Sequence, residues 1–216
     1  MNVHDGGRIR TSSITKGASA NANPTLTFDG GILEPLGNVE GLLDGMPLTI
    51  GEKGFIVDTA GHNVSFGSIT LTNGGELIKT GTGTLTITNT PAWSAITVRN
   101  GALDLGGNAL TCGTFSGAGV VTNGNLTVTD ELRVGLGNPL TLIDVSLDID
   151  GARIDVAGSE SITGRDPIVV LTSNSPITGR PQKPANVPDR RWQISHEGGI
   201  YKLELMPQGG FTLFVR

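Results

Sequence analysis

Residues 74–89 read Gly74-Gly75-Glu76-Leu77-Ile78-Lys79-Thr80-Gly81-Thr82-Gly83-Thr84-Leu85-Thr86-Ile87-Thr88-Asn89. From Thr84 to Thr88 apolar and hydroxyl residues alternate strictly. A period of two sends Leu85 and Ile87 to one face of an extended chain and the threonines to the other. Gly81 and Gly83 stand between this run and Leu77-Ile78, where a sharp turn needs residues that accept positive φ. The stretch therefore reads as two short strands separated by a corner.

The same grammar continues in both directions. Upstream lie Leu26–Phe28, Phe55–Val57, Val64–Phe66 and Ile69–Leu71. Downstream come Ile96–Val98, Leu103–Leu105, Val120–Val121, Leu126–Val128, Leu132–Val134, Leu140–Ile143, Val145–Ile149 and Ile154–Val156. Only Val39–Leu43 has room for a single helical turn. The 216 residues include 33 glycines, and only 16% are charged. Glycine and β-branched residues form helices poorly, and threonine fits strands. No strict glycine triplet suggests collagen.

A loose repeat runs through the middle of the chain. A "small or Asn, Gly, any, Leu" pattern falls at Gly30–Leu33, Gly74–Leu77, Asn100–Leu103 and Asn123–Leu126. Gly75 to Gly101 is 26 residues and Gly101 to Gly124 is 23. That is the length of one β-solenoid coil, shorter than a propeller blade. A β-sandwich also uses many short strands, but it predicts turns every 8–12 residues with no coil-length repeat. The expectation is thus an all-β chain, with solenoid coils over 1–157. The pattern changes near residue 157. Ile168–Leu171 is apolar, and Thr172–Asp189, with four prolines, reads as a long exposed loop. Trp192–Ser195, a turn at Glu197-Gly198-Gly199 and Ile200–Leu205 form a β-hairpin signature, with Trp192 and Tyr201 facing each other across it. A further strand follows at Phe211–Val215. Residues 158–216 are expected to cap the open end of the solenoid with antiparallel strands.

Residues 74–89, followed by Thr97-Val98-Arg99-Asn100-Gly101-Ala102-Leu103-Asp104-Leu105, resemble the autotransporter-associated β-strand repeat, also called the passenger-associated transport repeat. Phe28–Leu33 and Ile50–Gly61 resemble the lead-in to that repeat, and Ile168–Leu171, Ile177–Gly179 and Trp192–Leu205 resemble the end of such a passenger. The one clear repeat covers 74–105. The chain lacks the long alternating strands of a C-terminal membrane barrel. The resemblance implies a right-handed parallel β-helix at a bacterial surface: a passenger segment, or a surface protein that borrows the repeat. It implies a non-catalytic stalk, covalently continuous with other segments of a larger surface protein. Its localisation would be extracellular or outer-membrane associated, with any signal peptide absent from this chain.

Charge narrows the partners. The formal net charge is -5, and the most basic stretch, Arg180–Arg191, is interrupted by prolines and an aspartate. Nucleic-acid binding, which selects clustered Lys and Arg, is not expected. No segment approaches the ~20 apolar residues of a membrane-spanning helix, so insertion by this segment is not expected. Cys112 is the single cysteine, so no intrachain disulfide can form, and it reads as a small core residue.

Parallel β-helices include polysaccharide-cleaving enzymes, so paired carboxylates matter. A glycosidase needs two across a cleft. Asp148 and Asp150 are two apart, on one strand face and about 7 Å from each other, with Arg153 and Asp155 nearby. A soluble outer face accounts for them. His4, His62 and His196 are isolated, without metal-ligand spacing. No cofactor is expected, nor is enzymatic activity. Lys79 is expected to point outward beside Ile78, protecting the sheet face. Rings that stack on sugars are few; Trp93, after Pro91 in a loop-like insert, is the one candidate ligand-binding residue. It underlies the alternative reading, a glycan-binding adhesin module with extracellular glycans as partners. A carbohydrate-active enzyme is the remaining alternative.

Overall fold

The computed structural model describes residues 1–17, 24–158, 162, 166–182 and 190–207. Among them there are strands, turns and bends but no helix. The strands stack as a parallel β-solenoid of about seven turns.

One wall is a four-stranded parallel sheet of β1 (Asn2–His4), β4 (Leu26–Asp29), β7 (Pro47–Ile50) and β10 (Thr70–Leu71). A second wall carries β2 (Arg8–Thr11), β5 (Ile32–Pro35), β8 (Phe55–Asp58), β11 (Glu76–Thr80) and β13 (Trp93–Val98). It continues into β15 (Ala109–Gly117), β16 (Val120–Gly135) and β18 (Arg153–Ala157). A third stacks β9 (Val64–Ser65), β12 (Thr84–Thr86), β14 (Ala102–Asp104), the start of β16, and β17 (Leu140–Asp148). β3 (Ile14–Thr15) pairs with β6 (Leu43–Asp44). Val39 bridges to Val64, so the segment with room for a helical turn joins a wall instead.

The register shows how the core is made. Phe55, Leu77, Ile96, Phe115, Leu132 and Ile154 are partners on successive rungs. Val64, Leu85, Leu103, Val121 and Leu142 form a second ladder. All ten are buried. Each coil buries its inward residues only because coils lie above and below it, so apolar burial and rung pairing reinforce each other. Phe28 and Phe55 add a ring contact at 4.3 Å between centroids.

The glycine-leucine pattern is not the structural repeat. Leu77 opposes Phe55 and Ile96, Leu103 opposes Leu85 and Val121, and Leu126 opposes Leu110 and Leu147. These leucines occupy three different ladders. Leu77 and Ile96 are 19 positions apart, so the register step here is shorter than the motif spacing.

Corners appear where the chain must leave a wall. β16 is 16 residues long and serves three walls by bending. Asn123 supplies one bend at φ 56°, a left-handed conformation asparagine tolerates better than most residues. Elsewhere, side chains of one coil cap backbone amides of the next: Asp44 accepts from Ser68 N at 2.7 Å, and Asn73 grips both Ile50 N at 2.9 Å and Ile50 O at 2.6 Å.

The far end differs from expectation in three ways. Parallel pairing passes residue 157: β19 (Ile168–Ser173) and β20 (Ile177–Thr178) both stack in parallel on β17. The start of the expected Thr172–Asp189 loop is therefore a solenoid rung, while 183–189 fall outside the described residues. The hairpin is present as β21 (Arg190–Glu197) and β22 (Ile200–Pro207), and β22 adds antiparallel to β19. Its register sets Trp192 opposite Leu205, and Tyr201 opposite His196, whose rings stack at 4.2 Å. Leu203 joins the core and Trp192, Ile194 and Tyr201 pack against it, so the antiparallel strands cover the last parallel coil. The strand expected at Phe211–Val215 lies outside the described residues.

Candidate functional site

Trp93 is the first residue of β13, not part of a loop. Its rung partner is Cys112, and it is 3% exposed within the core cluster. A ring so covered offers no free face for sugar stacking, and Trp93 Nε1 finds no hydrogen-bond acceptor. The expectation of an exposed ring failed because Asn89 is tied to the preceding coil and the strand begins at Trp93 itself. Asn89 Nδ2 donates to Ile69 O at 2.7 Å, which delivers Trp93 directly into the stack. A shallow hollow of about 430 Å³ lies beside this segment, bordered by Thr72, Asn73, Thr90 and Pro91. A second, of about 320 Å³, is floored by Gly117, Ala118 and Gly135 and flanked by Arg99 and Arg133. Neither is lined by an aromatic side chain.

The acidic group does not converge as an acid–base pair. Asp148 ends β17, and its Oδ1 accepts from Asp150 N at 3.1 Å. Asp150 sits in the following turn and accepts from Arg180 N at 2.9 Å. Asp148 thus closes its own turn and Asp150 ties that corner to the next coil, rather than the two sharing one strand's outer face. Arg153 bonds Glu131, and Arg133 bonds the same carboxylate at 2.5 Å. Glu131 is buried between the two guanidiniums; such a pair holds rungs together and exposes little reactive oxygen. Glu34 does the same for Arg8 and Arg10 at the other end, with Arg10 Nε 2.8 Å away. Among the described residues no group of three or more His, Cys, Asp or Glu is placed to hold a metal ion. Cys112 is buried, and burial pushes its thiol up to about 12, with Asp130 adding to the effect. A thiol held protonated is a poor nucleophile.

Lys79 is the residue the sequence misplaced. Its rung partners are Val57 and Val98, both core residues, and it is itself 0% exposed. It therefore points inward, with its stem in the core. Its Nζ donates to Thr59 Oγ1 at 3.1 Å, Thr80 O at 2.9 Å, Gly81 O at 2.7 Å and Asn100 O at 3.0 Å. Burial lowers its pKa to about 8, opposed by the negative charge of Asp58. The signal was parity: two residues after the inward Leu77, Lys79 shares its phase, whereas Ile78 takes the outward one.

No family model, no curated protein and no solved structure matches the chain. The parallel solenoid, its capped corners and the buried lysine are therefore the grounds for a functional reading.

Proposed function

We propose that this chain is a non-catalytic structural segment, a stalk or display element, of a larger exported bacterial surface protein. The observation that supports this most is the way polar side chains are used. Asp44, Asn73, Asn89, Asp150 and Asn174 each spend their side-chain oxygen on a backbone amide of a neighbouring coil. Glu34 and Glu131 each bind two arginines. Side chains committed in this way make a stiff rod in which every coil supports its neighbours. The resemblance of 74–105 to the autotransporter-associated repeat points the same way.

The test is fractionation of the source cells with an antibody against this chain. The expected result is a surface or outer-membrane band far above 22.3 kDa, the mass of these 216 residues. A soluble band of that mass inside the cell overturns the reading.

A further inference from the structure

Thr59 follows β8, Thr80 ends β11 with Gly81 just after it, and Asn100 follows β13, so the four oxygens around Lys79 Nζ come from three consecutive coils. Three are backbone carbonyls, whose direction is set by the corners and not by the lysine. The corners themselves close tightly. Gly101 has φ +68°, and a Cβ there would meet Gly83 O at 2.4 Å, Gly81 O at 2.6 Å and Lys79 Nζ at 2.9 Å. Gly83 lies so close to the coil below that a Cβ would fall 1.9 Å from His62 O. The glycines thus let three corners approach until their carbonyls converge, and the convergence creates negative potential inside the stack. Thr80 O also accepts from Thr59 N at 3.0 Å and Thr59 Oγ1 at 3.1 Å, but carbonyl oxygens gathered without enough donors are costly to bury.

We propose that this three-coil corner is a small-cation site that the chain fills with its own lysine ammonium, and that it binds a free primary ammonium ion when the side chain is cut back. On this account the Lys79-Thr80-Gly81-Thr82-Gly83 run, together with Asn100-Gly101, is one device: the glycines bring the oxygens together and the lysine neutralises them. The inference is independent of where the protein resides.

The test compares Lys79→Ala and Lys79→Met with the wild-type chain by thermal unfolding. Both variants are expected to melt lower. Adding n-propylammonium chloride is expected to restore most of the loss in Lys79→Ala, whose cavity admits the ion. It is expected to restore little in Lys79→Met, whose side chain fills the stem volume. Tetramethylammonium chloride at equal ionic strength, having no N–H donor, is expected to rescue neither. Equal rescue by both salts, or a Lys79→Met that melts like wild type, overturns the proposal. A second measurement covers a Lys79→Ala chain that fails to fold: the 15N signal of Lys79 Nζ in the wild-type chain. A slowly exchanging ammonium coupled through hydrogen bonds to backbone carbonyls is expected. A freely exchanging one overturns the assignment.

Discussion

Lys79 keeps its charge where burial opposes it, and that opposition has a sign. Its pKa is lowered to about 8 from an ordinary 10.5. Between those values the unfolded chain holds a proton that the folded lysine has released, so folding stability rises with pH across that window. Below about 8 both states are protonated and the contribution is flat. Denaturant titrations of wild type and Lys79→Met should therefore diverge in favour of wild type from pH 8 to 10.5; a narrowing difference contradicts the assignment. Gly101 makes a second claim at this scale. Gly101→Ala places a Cβ against two carbonyl oxygens and forces a left-handed alanine. A loss of about 2 kcal/mol or more is expected in equilibrium unfolding, from strain plus displaced contacts. Cys112 supplies a third. Its buried thiol, pushed up to about 12, should react with thiol reagents only as fast as the protein opens. Fast labelling of the native protein would show the residue to be accessible.

Most strands are short and gain their stability from the rungs on either side. β13 illustrates this: it pairs in parallel with β11 below and β15 above. Phe115 lies in the middle of the second-wall ladder, between Ile96 and Leu132, fully buried. Phe115→Ala should cost about 3–5 kcal/mol, the usual range for a truncated core ring in a site that cannot collapse. Backbone pairing holds the coils above and below at rung spacing, so collapse is resisted. A loss well under that range, measured by denaturant unfolding, would mean the rungs can close over the gap.

A stack in which each coil touches only its neighbours is nearly one-dimensional. Damage should then spread by nearest-neighbour coupling, not through a shared centre. Amide hydrogen exchange on Phe115→Ala is expected to accelerate most in β13, β15 and the second-wall part of β16. Protection in β4 and β7, several coils away, should change little. Uniform acceleration along the chain would show a single cooperative unit. At the far end, β22 turns antiparallel on β19, and β21 pairs with β22. The parallel stack thus ends against strands of opposite direction, which limits further parallel addition there.

Composition and period-two alternation determined by themselves that this chain is all-β and built mostly of short strands, because those properties are local; winding into coils was inferred from the repeat length. Glycine and β-branched residues set the backbone preference, and alternation set one face inward. The hairpin at 190–207 was equally legible, since its Gly198-Gly199 turn is local chemistry. Register was not local. The glycine-leucine spacing of 26 and 23 residues has the length of a coil, yet it places Leu77, Leu103 and Leu126 on three ladders. Corner lengths, which vary from coil to coil, decide which residues meet. The same cause hid Trp93, carried into the core by Asn89 gripping the coil beneath. The inward phase of Lys79 was legible from its parity with Leu77, but its acceptors come from three coils about twenty residues apart in the chain. Only the stacked structure brings those oxygens together, and only their convergence makes a buried lysine cheaper to keep than to lose.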